Sequence, residues 1–224
     1  MLSAVMEDYL KAIYTLQERA EGRVSTSALA DHLGVTPPTV TSMATKLAER
    51  GLVEREKYKG VRLTDEGEIV ALEVIRHHRL LEAFLAEQLD YDWAEVHDEA
   101  DRLEHHLSER LVGRIVEALD DPGVDPHGDP IPDANLTLPE DAPTTRLADA
   151  AVGDRVVVRR IRHSTDEELR YLSDAGLSPG TAIEVTDIAP FGMVTVAHAD
   201  GEQSLPEEVA GLIEVVPATE ATPA

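Results

Sequence analysis

From Met6 to Arg19, apolar side chains fall at positions 6, 9, 10, 13, 14 and 16. This is the stripe of a helix with one buried face. Glu21-Gly22 ends it. Ser25 or Thr26 is placed to cap a second helix over residues 27–33. Gly34-Val35 makes a tight turn. A third helix starts within Thr36-Pro37-Pro38-Thr39, because proline is tolerated in a first turn, and runs to about Arg50 before Gly51. Helix, short turn, helix is the helix-turn-helix pattern. From Leu52 to Leu63, alternation about Lys59-Gly60 predicts a β-hairpin, the wing of a winged helix. Thr64 to Gly67 caps a long helix reaching about Gln88, and Trp93 to Leu119 supplies another.

Residues 120–143 carry six prolines among Asp and Gly, which break any regular element and predict a linker or a surface-hugging segment. Beyond Thr145 the period changes. Short β-branched runs appear at 155–161, 182–187, 193–197 and 212–216, with a short helix at 166–175 between the first two. Such runs, punctuated by glycine, predict a small barrel. The fold expected is mainly α with a small β part: a DNA-binding head at 1–66, a helical domain at 67–120, a linker at 121–143, a barrel at 144–217 and a tail at 218–224.

The chemistry concentrates in one helical run. His97 to His106 holds seven possible metal ligands. At 3.6 residues per turn, His97, Asp101, Glu104 and His105 share a face. His78 and Glu82 repeat the one-turn spacing. Imidazole and carboxylate donors without sulfur suit Mn²⁺ or Fe²⁺, and of the two the donor set leans to Mn²⁺. A solvated acidic helix with incidental histidines is the plain alternative.

Charge and composition narrow the partners. The chain carries 20 Lys+Arg against 44 Asp+Glu, a net charge of −24. Yet residues 1–66 balance 9 basic against 10 acidic side chains, and residues 39–64 hold 6 against 3. The acid therefore lies away from the predicted DNA-reading elements, where it would repel phosphates. Lysine occurs only at 11, 46, 57 and 59. An acid-rich, lysine-poor chain is expected of a high-salt cytoplasm, where a Debye length of a few Å blunts self-repulsion. Cysteine is absent, which excludes disulfides and thiolate metal sites. No apolar run approaches a membrane span, and the acidic N-terminus is unlike a secretory signal, so a cytoplasmic location is expected.

On the recognition helix, Thr36, Pro38, Thr39, Thr41 and Ser42 are candidates to reach base edges and thymine methyls. Lys46, Arg50, Lys57, Lys59 and Arg62 are candidate phosphate contacts. Thr36 reads equally well as a simple cap. Apolar positions 70, 74, 81, 85, 103, 107 and 111 serve either a dimer seam or the chain's own core.

Taken in order, Met6 to Leu10, the helix-turn-helix, the wing, His78 to Glu82, Val96 to Ala100, Glu104 to Ser108 and His127 to Pro132 resemble the diphtheria-toxin-repressor family of metal-dependent regulators. The likeness spans nearly the whole chain. It implies a homodimer that binds a palindromic double-stranded DNA operator when Mn²⁺ or Fe²⁺ is bound, with two metal sites per subunit. The primary site it implies is Asp8, Asp101, Glu104 and His105. The ancillary site it implies is His78, Glu82 and His97, often completed by the C-terminal domain. Asp8 and Asp101 stand where iron-responsive members resemble Met and Cys. Lys11 stands where some manganese regulators have Glu, which argues for two separate sites rather than a bridged pair. Leu172 to Val185 resembles the SH3-like ferrous-iron-transport-protein-A domain, with His163, Glu167 and Glu168 near where further ligands arise. Two other readings stay open: a metal-independent winged-helix regulator with a vestigial site, and a metallohydrolase, for which no nucleophile elbow or phosphate loop is present.

Overall fold

The computed structural model describes residues 2–19, 22–56, 59–139, 143–162, 165–190 and 192–218. Tertiary contacts divide the chain into two compact units, Met1–His78 with Asp101–Val112 and Pro132–Leu138, and Arg79–Ala100 with Gly113–Ile131 and Pro139–Ala224.

The first unit opens with α1 (Ala4–Arg19), which buries Met6, Tyr9, Leu10 and Ile13, the positions its stripe predicted. Ser25 caps α2 (Thr26–His32), accepting the Ala28 N–H at 3.1 Å. Helix α3 (Pro37–Glu49) has proline in its first turn and buries Val40, Ala44 and Leu47, spaced to share a face. Leu10, Ile13, Leu29 and Leu47 are wholly enclosed here. Each such side chain contributes roughly 1.5–3 kcal/mol by leaving water.

Strands β1 (Val53–Glu56) and β2 (Gly60–Leu63) form the expected antiparallel hairpin, Val53 opposite Leu63. Val24 extends it by exchanging two backbone hydrogen bonds with Val61, at 2.7 and 2.9 Å. That approach requires glycine at 60. Its φ is +93°, and a Cβ there would stand 2.0 Å from the Val24 carbonyl oxygen. Thr64 then caps α4 (Asp65–Leu89), its hydroxyl accepting from Gly67 and donating to the Gly51 carbonyl.

The helix expected over 93–119 is instead broken into α5 (Val96–Leu103), a 3₁₀ turn (Glu104–His106) and α6 (Glu109–Ala118). Leu107 is extended, with φ −71° and ψ 136°, and Ser108 starts the next helix by accepting from Leu111. Apolar spacing persists through the break, so periodicity alone missed it.

In the second unit, β3 (Thr145–Arg146), β4 (Arg155–Ile161), β5 (Ala182–Ala189), β6 (Met193–His198), β7 (Gly201–Pro206) and β8 (Ile213–Pro217) form one antiparallel sheet, ordered β3-β8-β4-β5-β6-β7. Helices α7 (Asp166–Asp174) and α8 (Glu207–Ala210) complete it. Val158, Val185, Val196, Leu205 and Val215 bury the sheet's inner face together with Leu147, Leu172 and Leu177. Strands β3 and β7 were not expected; β3 spans two residues and β7 reads as polar. No helix among the described residues is long and apolar enough to cross a membrane.

Candidate metal centres and nucleic-acid interface

In the first unit, α1 presents Glu7, Asp8 and Lys11 toward the 3₁₀ turn. His105 bridges two acids: its Nδ1 lies 2.7 Å from Glu7 Oε2 and its Nε2 lies 2.8 Å from Asp8 Oδ1. Its Nε2 is also 3.4 Å from Glu104 Oε1. One donor atom each from Asp8, Glu104 and His105 falls within 4.8 Å of the others. Glu104 and His105 are consecutive in the 3₁₀ turn, and both reach the cluster from it.

Glu104 is 2% exposed and uses both oxygens. Oε2 sits 2.6 Å from His78 Nδ1 and 2.8 Å from Lys11 Nζ. Lys11 also donates to Asp101 Oδ1 at 3.0 Å, and its Nζ lies 3.0 Å from His78 Nδ1. Asp101 Oδ1 and His78 Nδ1 are 3.2 Å apart. Burial alone would raise the Glu104 pKa. The His78 hydrogen bond and the Lys11 charge outweigh it and hold the carboxyl below its ordinary range. Asp8 is pushed up by burial, against the pull of His105.

The second unit holds another cluster, of Glu82, Asp125 and His127, all buried and with donor atoms within 4.8 Å. His97 Nδ1 approaches Glu82 Oε1 at 3.1 Å, and His127 Nδ1 approaches Glu82 Oε2 at 3.7 Å. His127 Nε2 donates to the Trp93 carbonyl at 2.9 Å, which leaves Nδ1 facing the carboxylates. Asp125 Oδ1 accepts the backbone N–H groups of His127 and Asp129, at 2.8 and 2.9 Å. Burial, then the charges of Glu82 and Asp129, push Asp125 up to about 8. Burial would lower His127, but the Glu82 hydrogen bond and charge raise it to about 9.

The 125–131 segment lies along β4, where the Ile161 N–H donates to the His127 carbonyl at 2.8 Å. Gly128 permits this: its φ is +88°, and a Cβ would meet the Arg159 carbonyl oxygen at 2.2 Å. Gly128→Ala is expected to cost about 2–3 kcal/mol, read as a lower midpoint in denaturant; an unchanged midpoint would show that the segment does not need this close approach.

Of the residues the sequence singled out, Asp8, Glu104 and His105 come together, and Asp101 joins His78 and Lys11 beside Glu104. Glu82 and His97 meet each other. His78 Nδ1 also meets Glu104 Oε2, at 2.6 Å. Sequence reasoning missed Glu7, and it missed Asp125 and His127 as ligands. The Asp-Pro-His spacing at 125–127 was their only signal. Glu168 is engaged in a capping box with Thr165, at 2.7 Å to its N–H, while Glu167 is exposed. His163 lies outside the described residues.

Of the residues expected to contact DNA, Thr36, Pro38, Thr39, Thr41, Ser42, Lys46 and Arg50 are exposed. Thr36 makes no capping bond to the backbone; its hydroxyl meets that of Thr39 at 2.9 Å. Lys59 and Arg62 pair with hairpin acids, Glu56 at 2.8 Å and Glu54 at 2.7 Å. Lys57 lies outside the described residues. Arg55, bonded to Thr45 on α3 at 2.7 Å, is a further exposed cation that the sequence reading passed over.

Three family models match in succession: the iron dependent repressor N-terminal DNA binding domain over residues 1–61, the iron dependent repressor metal binding and dimerisation domain over 64–133, and the FeoA domain over 145–217. The chain is 34% identical to a diphtheria toxin repressor of Corynebacterium efficiens over 219 residues, covering 93% of this chain and 94% of that protein. It is also 34% identical to the iron-dependent repressor IdeR of Mycobacterium tuberculosis over 222 residues, covering 93% and 95%. A solved structure described as a manganese-dependent transcriptional repressor in complex with manganese aligns with a TM-score of 0.85 at 43% identity, covering 95% of this chain and 99% of that one. Carrying carboxylate–imidazole clusters and a helix-turn-helix, the chain belongs to the iron-dependent repressor family that includes the diphtheria toxin repressors, and is a DNA-binding, metal-dependent transcriptional repressor rather than an enzyme.

Proposed function

We propose that this repressor is switched on by Mn²⁺, with Fe²⁺ the second candidate, acting in the cytoplasm on palindromic operators of metal-homeostasis genes. The observation that carries the reading is the sulfur-free donor set Asp8, Glu104 and His105, closed by Glu7 on the far ring nitrogen of His105. A neutral imidazole has one N–H, so it can donate to only one of its two flanking carboxylates. A divalent ion taken by Nε2 removes that conflict and leaves Nδ1–H for Glu7. This is the outer-shell carboxylate that orients a metal-bound histidine. Hard oxygen donors plus imidazole suit Mn²⁺ and Fe²⁺.

Two sites per subunit are built from these residues. Asp8, Glu104 and His105 form the first, with Asp101 at its border. Glu82, Asp125 and His127 form the second, with His97 beside Glu82 and the His127 ring oriented by the Trp93 carbonyl. This set shares Glu82 with the ancillary set that the resemblance implied, His78, Glu82 and His97. The domains run 1–66, 67–120 and 144–217, with 121–143 contributing ligands as well as a connection; the β1–β2 hairpin acts as the wing, and the sheet as an SH3-like domain.

The first site ties α1, part of the DNA-binding head, to the 3₁₀ turn. Metal binds better to the arrangement in which those elements are joined, and this differential affinity shifts the population toward it. In a dimer, that spaces two recognition helices across a palindrome. Ile69, Leu103 and Leu111 are exposed apolar residues suited to the dimer face.

The test selects duplexes from a random library with Mn²⁺ present, then titrates the enriched sequence by fluorescence anisotropy. The expected result is an affinity at least about 100-fold tighter with Mn²⁺ than with chelator. Equal binding in both conditions would favour the metal-independent regulator.

A further inference from the structure

The β1–β2 hairpin carries two exposed acids, Glu54 and Glu56, and they engage the cations around them. Arg23 pairs with both, at 3.1 and 3.0 Å. Arg62 pairs with Glu54 at 2.7 Å, and Lys59 with Glu56 at 2.8 Å. Arg55 differs. It is exposed, and no carboxylate among the described residues pairs with it. Its guanidinium donates to Thr45 Oγ1 on α3 at 2.7 Å, and Thr45 donates in turn to the Thr41 carbonyl at 2.9 Å. Between α3 and the hairpin lies a cleft of about 400 Å³, with Ser27, Thr41, Arg55 and Lys59 in its lining.

We propose that this cleft takes one phosphate of the DNA backbone, and that Arg55, anchored on α3 by Thr45, is the side chain that holds it. The inference rests on the chain's DNA binding and not on which metal switches it.

The argument is one of competing partners. Phosphates on DNA are met mainly by Arg, Lys and hydroxyl side chains, and the guanidinium fork fits two phosphate oxygens at once. It has five N–H donors, and Thr45 takes one. Arg62 or Lys59 must give up a carboxylate of its own hairpin to engage DNA, whereas Arg55 gives up none. Glu56 also lines the cleft, but Arg23 and Lys59 offset its charge, so the acid does not cancel Arg55. The Ser27 and Thr41 hydroxyls supply neutral donors beside the guanidinium. The anchor gives the contact a second consequence. Arg55 springs from β1 and rests on α3, so a phosphate held there ties both elements to one point on the backbone and fixes how α3 enters the groove.

The competing account is that Arg55 only ties β1 to α3. A tie and a phosphate contact differ in their response to salt, because each phosphate contact contributes about 0.9 to the slope of log affinity on log salt. The experiment measures fluorescence anisotropy between 0.1 and 1 M KCl with saturating Mn²⁺, on the duplex enriched by selection and on a scrambled duplex of equal length. Arg55→Gln should make the slope shallower by about 0.9 on both duplexes, so its defect is about 8-fold larger at 0.1 M than at 1 M. Arg55→Lys should keep the wild-type slope, and Arg62→Gln should change it by less than half as much as Arg55→Gln. An unchanged slope in Arg55→Gln overturns the proposal, whatever the affinity does, and leaves Arg55 a structural tie. An equal change in Arg62→Gln also overturns it, since Arg55 would not then stand apart. A change on the enriched duplex alone would make Arg55 a reader of bases, and that too overturns it. Wild-type protein that binds neither duplex would remove the DNA-binding assignment instead. If Arg55→Gln does not fold, Arg55→Leu serves as the second uncharged variant.

Discussion

Glu104→Gln is expected to abolish the metal response of DNA binding, weakening Mn²⁺ at the first site by about 100-fold or more. Glu104 meets both His105 and Lys11, and it is almost wholly buried. The amide keeps the volume but removes the charge that an ion binds. It also leaves the Lys11 ammonium with Asp101 as its remaining carboxylate. Breaking a buried ion pair from one side costs about 3 kcal/mol or more, so metal-free stability in denaturant should fall as well. The paired measurement is Mn²⁺ affinity by calorimetry and the unfolding midpoint in chelator. A variant that keeps the wild-type Mn²⁺ affinity and metal-dependent DNA binding would move the first site elsewhere. Asp8→Asn is the control, since it removes a ligand without touching the buried pair.

The second large effect is on pH. Asp125 keeps its proton up to about 8, and His127 keeps its own to about 9. Both folded values lie above those of the unfolded chain. Their contribution to stability is therefore complete below the unfolded values and is lost as pH rises through the folded ones. For Asp125 that window runs from about 4 to 8, and for His127 from about 6.5 to 9. Each group imposes a loss of about 1.4 kcal/mol per pH unit within its window. The metal-free protein should thus weaken between pH 6.5 and 8, and Asp125→Asn should remove about half of that slope. Mn²⁺ affinity at this cluster should move oppositely, rising with pH as the ion displaces the two protons. Denaturant midpoints and Mn²⁺ titrations across this range check both. A slope unchanged by Asp125→Asn would show that its carboxyl is ionised in the fold at neutral pH.

Both effects come from buried acids, and the two acids differed in how readily the sequence disclosed them. Glu104 belongs to a run in which seven of ten residues are possible ligands, and its spacing from Asp101 and His97 marks a helical face. Asp125 and His127 sit among prolines and glycines, with no periodicity to mark a buried side. They are buried because Gly128 lets the segment approach β4 closely, a relation between residues thirty positions apart. Glu7 was passed over for a similar reason. Its role depends on His105, nearly a hundred residues away, presenting the second ring nitrogen to it.

Local chemistry determined much from the sequence alone. Caps at Ser25 and Thr64, proline in the first turn of α3, the stripe of α1 and the alternation of β1 and β2 each act within a few residues, so the elements of the DNA-reading head follow from neighbours along the chain. The donor types, all nitrogen and oxygen, follow from composition, since the chain has no cysteine. Tertiary structure decided the grouping. Periodicity projects side chains from an ideal helix, and here the chain tightens at Glu104 and breaks at Leu107. Only the folded backbone could show that Glu104 faces His105 with one oxygen and Lys11 with the other, or that His78 meets Glu104. Such pairings depend on distances between elements far apart in sequence, and no local preference encodes them.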